Sequence, residues 1–348
     1  MKVLKYAMVF VLPILFAIGL KFGSWWSFAP VIFAFGFIPT LELLFQPNTR
    51  NLSLTEKEIR LEDRAYDMML YFVVPVIYVI ILLYLIAVTN FDFSTKELIG
   101  LTFSLGVILG GMGINVAHEL GHRHTAHEKF MAKALLLPSA YMHFFIEHNR
   151  GHHKNVSTQE DPASSRYNET LYHFWVRSVV YSFISAWNLE KKRLQRAKAP
   201  VWSLKNEMIR FQLIQITFWV SIGLVFGGFS LLLFTCAAIV GFLMLETVNY
   251  IEHYGLMRKK LPSGRYERVR EVHSWNSNHV IGRIVLYELT RHSDHHFKSS
   301  KKYQVLDYHD ISPQMPFGYP TSMVLSFIPP LWFKLMNPRI PKEMVLTT

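Results

Sequence analysis

The sequence predicts an all-α integral membrane protein: six transmembrane helices and a histidine-rich cytoplasmic cap, in one domain spanning 1–348. Three observations lead there. Only 18% of the residues are charged and 51% are hydrophobic, against roughly 25% charged in ordinary soluble proteins. Six apolar stretches approach the ~20 residues that a helix needs to cross about 30 Å of hydrocarbon. Many of the 16 histidines crowd into a few short motifs.

The first span is Val3–Leu20. Its apolar run is too long for a signal peptide and lacks a small-residue cleavage site, so it reads as a retained span. Next come Trp25–Phe45, Met68–Val88 and Leu98–Ala117. The fifth, Phe211–Phe226, is short and borrows the turn Met208–Arg210; the sixth is Phe229–Ile251. Phe130–Ile146 is apolar but short and begins among charges, which predicts an interfacial or re-entrant helix.

Charge sets the orientation. Of the 36 Lys and Arg, only Lys21 and Lys96 lie in the connections after spans one and three, and Gly227–Gly228 after span five carries none. The positive-inside rule then puts the other connections and both termini in the cytoplasm. The cap is built from residues 121–207 and 252–348, with a smaller loop near Gln46–Tyr66. The net charge of +11 flanks the spans. It fits lipid anchoring or an acidic partner; no nucleic-acid module accompanies it. The one cysteine, Cys236, permits no disulfide and no C-x-x-C iron site, so any electrons must come from another protein.

Nine histidines form the chemistry-bearing pattern. His118 and His122 in AHELGHR stand four apart and share a helix face. In EHNRGHHKN, His148 and His152 repeat that spacing, while His153 points about 100° further round and suits a neighbouring ion. His292, His295 and His296 fall in RHSDHHF, and His253 in NYIEHYG closes the last span. A lone His pair is ordinary surface or structural sequence. Three clusters at one membrane face are not, because unpartnered imidazoles there cost solvation without return. Nine ligands exceed one ion's capacity, which predicts a two-metal site. Imidazole leaves zinc, copper, iron and nickel open. Glu119, Glu147, Asp161, Glu246, Glu252 and Asp294 are neighbours able to orient the rings, though each could equally be a cap or salt bridge.

HELGH, EHNRGHH and RHSDHH resemble the histidine boxes of the membrane di-iron desaturase and hydroxylase superfamily. NYIEHYGL, NRGHHKNVSTQEDPASSR and LTRHSDHH resemble its alkane 1-monooxygenase branch, which includes xylene monooxygenases. The resemblance implies two non-haem irons held by His118, His122, His148, His152, His153, His253, His292, His295 and His296. It also implies terminal hydroxylation of n-alkanes in a bacterial inner membrane, with O2 as co-substrate and two electrons from rubredoxin, itself served by rubredoxin reductase. Relatives often carry Asp where PTLELLF has Glu42, and the segment between spans two and three differs, so chain-length preference is left open. No fused rubredoxin follows Pro341, consistent with an external donor.

Other histidines are expected elsewhere: His124, His127, His143, His173 and His309 at the surface or interface, and His273 and His279 nearer the site. Arg150, Lys154, Arg166, Lys298 and Lys301 are expected to offer a basic landing site for an acidic carrier. The rivals are a fatty-acyl desaturase or hydroxylase, an H-E-x-x-H protease using His118, Glu119 and His122, and a metal or haem transporter. The protease leaves seven clustered histidines unused, and transport sites lie nearer the midplane.

Overall fold

The computed structural model describes residues 2–344. Regular structure is helical, and among the described residues β-type pairing is confined to two isolated bridges. Four helices long and apolar enough to cross a membrane come first: α1 (Leu4–Phe22), α2 (Ser24–Leu44), α3 (Ala65–Asn90) and α4 (Thr95–Gly121). They are followed by α5 (Ala126–Leu136) and α6 (Leu171–Arg196), and then by the fifth candidate span, α7 (Glu207–His253).

The count is five where the sequence predicts six. Helix α7 has 47 residues, about 70 Å at 1.5 Å per residue, enough for two crossings. Its helical dihedrals fail at Gly227 (φ 84°, ψ 166°), within the Gly227–Gly228 connection expected between spans five and six. Only glycine adopts that backbone without strain. Phe130–Ile146 is corrected: it is not one helix. α5 ends at Leu136, a 3-10 turn covers Leu137–Ser139, Ala140 is left-handed (φ 52°), and helix resumes at Phe144. Pro138 cannot donate to a continuing helix.

The chain forms two compact units. The first comprises Met1–Phe37, Arg64–Ile146 and Ala186–Leu245. α4 is its central helix: 89% of its most apolar window is buried, against 28–44% for the other candidate spans. Small residues allow that burial. A Cβ on Gly106 would fall 2.5 Å from Val240, and one on Gly110 would fall 2.7 Å from the Gly241 carbonyl, the close helix approach that lipid-embedded packing favours. Polar groups pair across helices, Tyr84 Oη with Thr102 Oγ1 at 2.7 Å and Thr89 Oγ1 with Ser230 Oγ at 2.9 Å. Ser94 and Glu97 form a capping box at the start of α4, and Glu97 also accepts from the Ser24 amide at 2.5 Å, fixing the turn between α1 and α2.

The second unit comprises Ile38–Asp63, Glu147–Ser185 and Glu246–Thr348. Short helices and loops dominate it, and buried charges hold them. Arg177 donates to Glu169 through Nε (2.7 Å) and Nη2 (2.8 Å), and to the carbonyls of Pro162 and Ser164 at 3.0 Å. Tyr250 Oη donates to the Glu169 carbonyl at 2.6 Å. Arg291 is fully buried and donates to the carbonyls of Leu306 (2.7 Å) and Arg50 (3.0 Å), which ties the 48–51 loop to the third histidine motif. Glu42 accepts from the Gly282 amide at 3.0 Å.

Candidate metal centre

The first histidine motif ends α4. Just before it, Leu109–Ile114 is a π-turn, a wider turn that rotates everything after it and recurs at functional sites. His118 is buried, His122 half-buried, and their ring centroids are 5.0 Å apart. Glu119 between them accepts from Arg123 at 2.7 Å, and Arg123 also faces Asp67 at 3.3 Å. A carboxylate locked in an ion pair is poorly placed as a free general base, which weakens the protease reading.

The second motif corrects the expected pairing of rings. His148–His152 is a π-turn, not an α-turn, so residues five apart share a face. His148 therefore converges with His153, Nε2 to Nε2 at 3.0 Å, and His152 is the ring turned to a different group. The third motif is the short helix α9, introduced after α8 (Val280–Val285), and spans His292–Phe297. It keeps ordinary helical spacing. His292 and His296 converge at 2.9 Å, while His295 faces His153 at 3.2 Å.

The second unit thus gathers seven of the nine predicted histidines into two sets. His148, His153 and His295 form one; His152, His253, His292 and His296 form the other, each with ligand atoms within 4.8 Å of one another. In the four-ring set, His152 Nε2 lies 3.2 Å from His296 Nε2 and His253 Nε2 3.3 Å from His292 Nε2. Neighbouring donors around a metal with bonds of about 2.1 Å stand about 3 Å apart, so the spacing fits.

Proton bookkeeping supports the same fit. His152 Nδ1 is 2.9 Å from Asp161 Oδ2, so Nδ1 carries the proton and Nε2 presents a lone pair. Nε2 of His296 faces both His152 and His292, and one ring nitrogen cannot donate to two such partners. Burial and the neighbouring rings hold His296 well below the usual imidazole range, so it stays neutral with a lone pair to offer. Four buried ring nitrogens gathered this closely form a donor set that suits a cation among them.

Asp161 is the best-supported orienting carboxylate. It is buried and accepts from Ser164 Oγ (2.6 Å) and the Ala163 amide (3.1 Å) besides His152. Burial opposes charge on His152, but the Asp161 carboxylate outweighs it and raises the ring's proton affinity. Glu147 is pushed up to about 8 by burial and then by Asp161. Glu252 Oε2 lies 3.1 Å from His292 Nε2. Asp294 orients no ligand ring: it accepts from Lys301 (2.8 Å), His309 (2.8 Å) and the Asp307 amide (2.8 Å), bracing the loop after α9. The roles of Ser164, Lys301 and His309 had no sequence signal, since each is a long-range or loop contact.

Among the remaining histidines, His124, His127 and His173 are largely exposed and His309 is half-buried. His143 is buried, contrary to expectation, because the chain turns inward after Ala140. His273 is buried beside the four-ring set, and the ring of His253 hydrogen-bonds its backbone. His279 pairs with Ser277 at 3.0 Å. Of the expected landing residues, Lys154, Arg166 and Lys298 are exposed and Arg150 is half-buried. Lys301 is committed to Asp294 and Asp307 and is not an open landing charge.

Comparison with known proteins decides the family. A family model for fatty acid desaturases matches residues 97–325. Alkane 1-monooxygenase 1 of Pseudomonas aeruginosa is 38% identical over 97% of this chain and 91% of its own length. The chain belongs to the alkane 1-monooxygenase family. Alkane 1-monooxygenase 2 of Alcanivorax borkumensis is 38% identical over 96% of this chain and 88% of itself. More distant is the xylene/toluene monooxygenase hydroxylase component of Pseudomonas putida, 30% identical over 69% of this chain and 63% of itself. The family match runs through all three histidine motifs and His253.

Proposed function

We propose that this chain is a di-iron monooxygenase that hydroxylates the terminal carbon of n-alkanes. The overall change is RH + O2 + 2 e⁻ + 2 H⁺ → ROH + H2O, with rubredoxin, recharged by its reductase, as the electron source. The observation that carries the proposal is the pair of imidazole sets, in a chain similar to alkane 1-monooxygenases over nearly its whole length. Nine histidines, His118, His122, His148, His152, His153, His253, His292, His295 and His296, serve two irons, with His152, His253, His292 and His296 holding one of them.

An alkane C–H bond gives acid–base groups nothing to act on, so the iron pair supplies the oxidising chemistry. The chain's own task is to hold neutral, correctly turned rings and to keep the site dry. Asp161 fixes the His152 tautomer, leaving Nε2 for the metal. The burial of six of the seven convergent second-unit rings, His153 being half-buried, keeps bulk water from the ring nitrogens. A substrate that dissolves in lipid reaches such a site without leaving the bilayer. The fitting topology is six spans, α7 supplying two across Gly227, with both termini and the histidine cap in the cytoplasm of a bacterial inner membrane. Residues 345–348 of that cap lie outside the described residues.

The test is purified protein in lipid nanodiscs, assayed for metal content and then given octane, hexadecane, xylene and an acyl chain with rubredoxin, its reductase and O2. Two irons per chain and primary alcohols from the alkanes are expected. One zinc per chain, or products from the acyl chain alone, would overturn the proposal. Faster turnover of xylene than of either alkane would favour methyl hydroxylation of alkyl-aromatics, the reading raised by the xylene/toluene relative.

A further inference from the structure

Beyond His253 the chain leaves α7 and makes a tight excursion from Met257 to His273. It carries Arg258, Lys259, Lys260, Arg265, Arg268 and Arg270 against Glu267 and Glu271, a net of +4 from six basic and two acidic residues. The excursion is a hairpin, with Lys260 bridged to Tyr266, the Leu261 amide donating to the Arg265 carbonyl at 2.7 Å and the Glu267 amide to the Lys259 carbonyl at 3.0 Å. Arg258 is buried and anchors its base on the Lys154 carbonyl at 3.1 Å. The other five basic residues are exposed.

The hairpin borders a groove of about 420 Å³ whose lining includes Lys259, Arg270 and Arg339, the carboxylates Glu267 and Glu343, and His273. His273 Nδ1 accepts from the Arg270 amide at 2.9 Å. The ring of His253 hydrogen-bonds the His273 backbone, and Ser274 Oγ lies 3.5 Å from His253 Nδ1. On its other side, His253 Nε2 faces His292 in the four-ring set. The groove beside this exposed basic hairpin therefore connects to a candidate metal ligand through one residue and one hydrogen bond.

We propose that this groove is the docking site of an acidic one-electron carrier protein, and that its electrons enter through His273 and His253. The inference rests on the oxygenase reading and names where its donor binds. Each docking oxidises the carrier by one electron and reduces the metal pair by one, so two dockings supply the two electrons of a turnover. Charge complementarity selects the partner: a carrier with acidic residues around its redox centre is steered to the exposed basic side chains of the hairpin and held briefly, as transient redox encounters are.

The experiment uses full-length, iron-loaded protein in nanodiscs of neutral lipid, with rubredoxin as the probe. Binding is measured by surface plasmon resonance at low and high salt, and rubredoxin reoxidation by stopped-flow absorbance. In K259E/R270E the Kd for rubredoxin should rise about tenfold or more at low salt, with a flatter salt dependence. Half-saturation of reoxidation should rise more than its limiting rate falls. K259Q/R270Q should shift in the same direction by less, which keeps the test usable if charge reversal disturbs folding. Parent-like rubredoxin binding in both variants, or loss of binding in R166E/K298E instead, would overturn the proposal. So would variants that lose affinity for anionic vesicles while keeping rubredoxin, because the hairpin would then be a lipid anchor. A single turnover needs no docking and tests the oxygenase reading separately: protein reduced anaerobically with dithionite, freed of excess reductant and then mixed with octane and O2 should form octanol, and its absence in the parent sinks that reading whatever the binding data say.

Discussion

Replacing Asp161 by Asn should weaken one iron and spare the other. Asp161 Oδ2 stands 2.9 Å from His152 Nδ1, and both residues are 1% exposed. Asn can turn its amide nitrogen toward Nδ1, and that contact favours the tautomer with a proton on Nε2, where the metal should be. A hydrogen bond to a charged group is worth about 1.5–3 kcal/mol net. Losing an orienting partner costs roughly 10–100-fold in metal affinity, or about 1.4–2.7 kcal/mol, so two independent estimates agree. The assay is chelator competition on purified protein in nanodiscs, following both irons by elemental analysis. One iron should be stripped at roughly 10–100-fold lower chelator concentration than in the parent, while the second leaves at its usual concentration. D161E, which keeps the charge, should recover part of the loss. If D161N holds both irons as tightly as the parent, Asp161 does not orient His152 and the reasoning fails.

Two further predictions concern the scaffold. Gly106→Ala should lower stability by about 1–3 kcal/mol, because its Cβ meets Val240 and the Ala237 carbonyl at 2.5 and 2.9 Å; thermal unfolding in detergent measures this, and an unchanged midpoint would mean the helices part freely. Glu169→Gln should cost about 3 kcal/mol at neutral pH, as expected when one partner of a buried ion pair is removed. Burial alone would raise the Glu169 carboxyl, but Arg177 outweighs it and holds the carboxyl below its ordinary value. The stabilisation is therefore complete above the unfolded pKa and fades as pH falls through the lower folded one. The gap in melting temperature between parent and E169Q should close in acid; a gap independent of pH would refute the pairing.

Much of the molecule was legible in the sequence because lipid imposes strict rules. Apolar length set the spans, and Gly227–Gly228 marked the break in α7, since a glycine pair tolerates the positive φ found there. Histidine spacing marked the segments whose rings converge into the two candidate metal-holding sets. Local spacing could not say which rings would meet. The sequence suggested that His148 and His152 act together, on the assumption of an α-turn, but a π-turn re-pairs His148 with His153. One extra residue per turn changes the ring that faces each ion, and surrounding packing rather than local propensity selects it. The same limit applies to carboxylates. Six lay near the histidines in sequence, yet Asp161 reaches His152 from nine positions further along the chain, while Asp294, between two box histidines, turns away to Lys301 and His309. Composition and periodicity thus determined the helices long and apolar enough to cross a membrane and the histidine clusters of a candidate metal site. Only the tertiary structure decided which ring lies against which acid and where a basic hairpin comes close to His253, because those contacts depend on how distant loops pack.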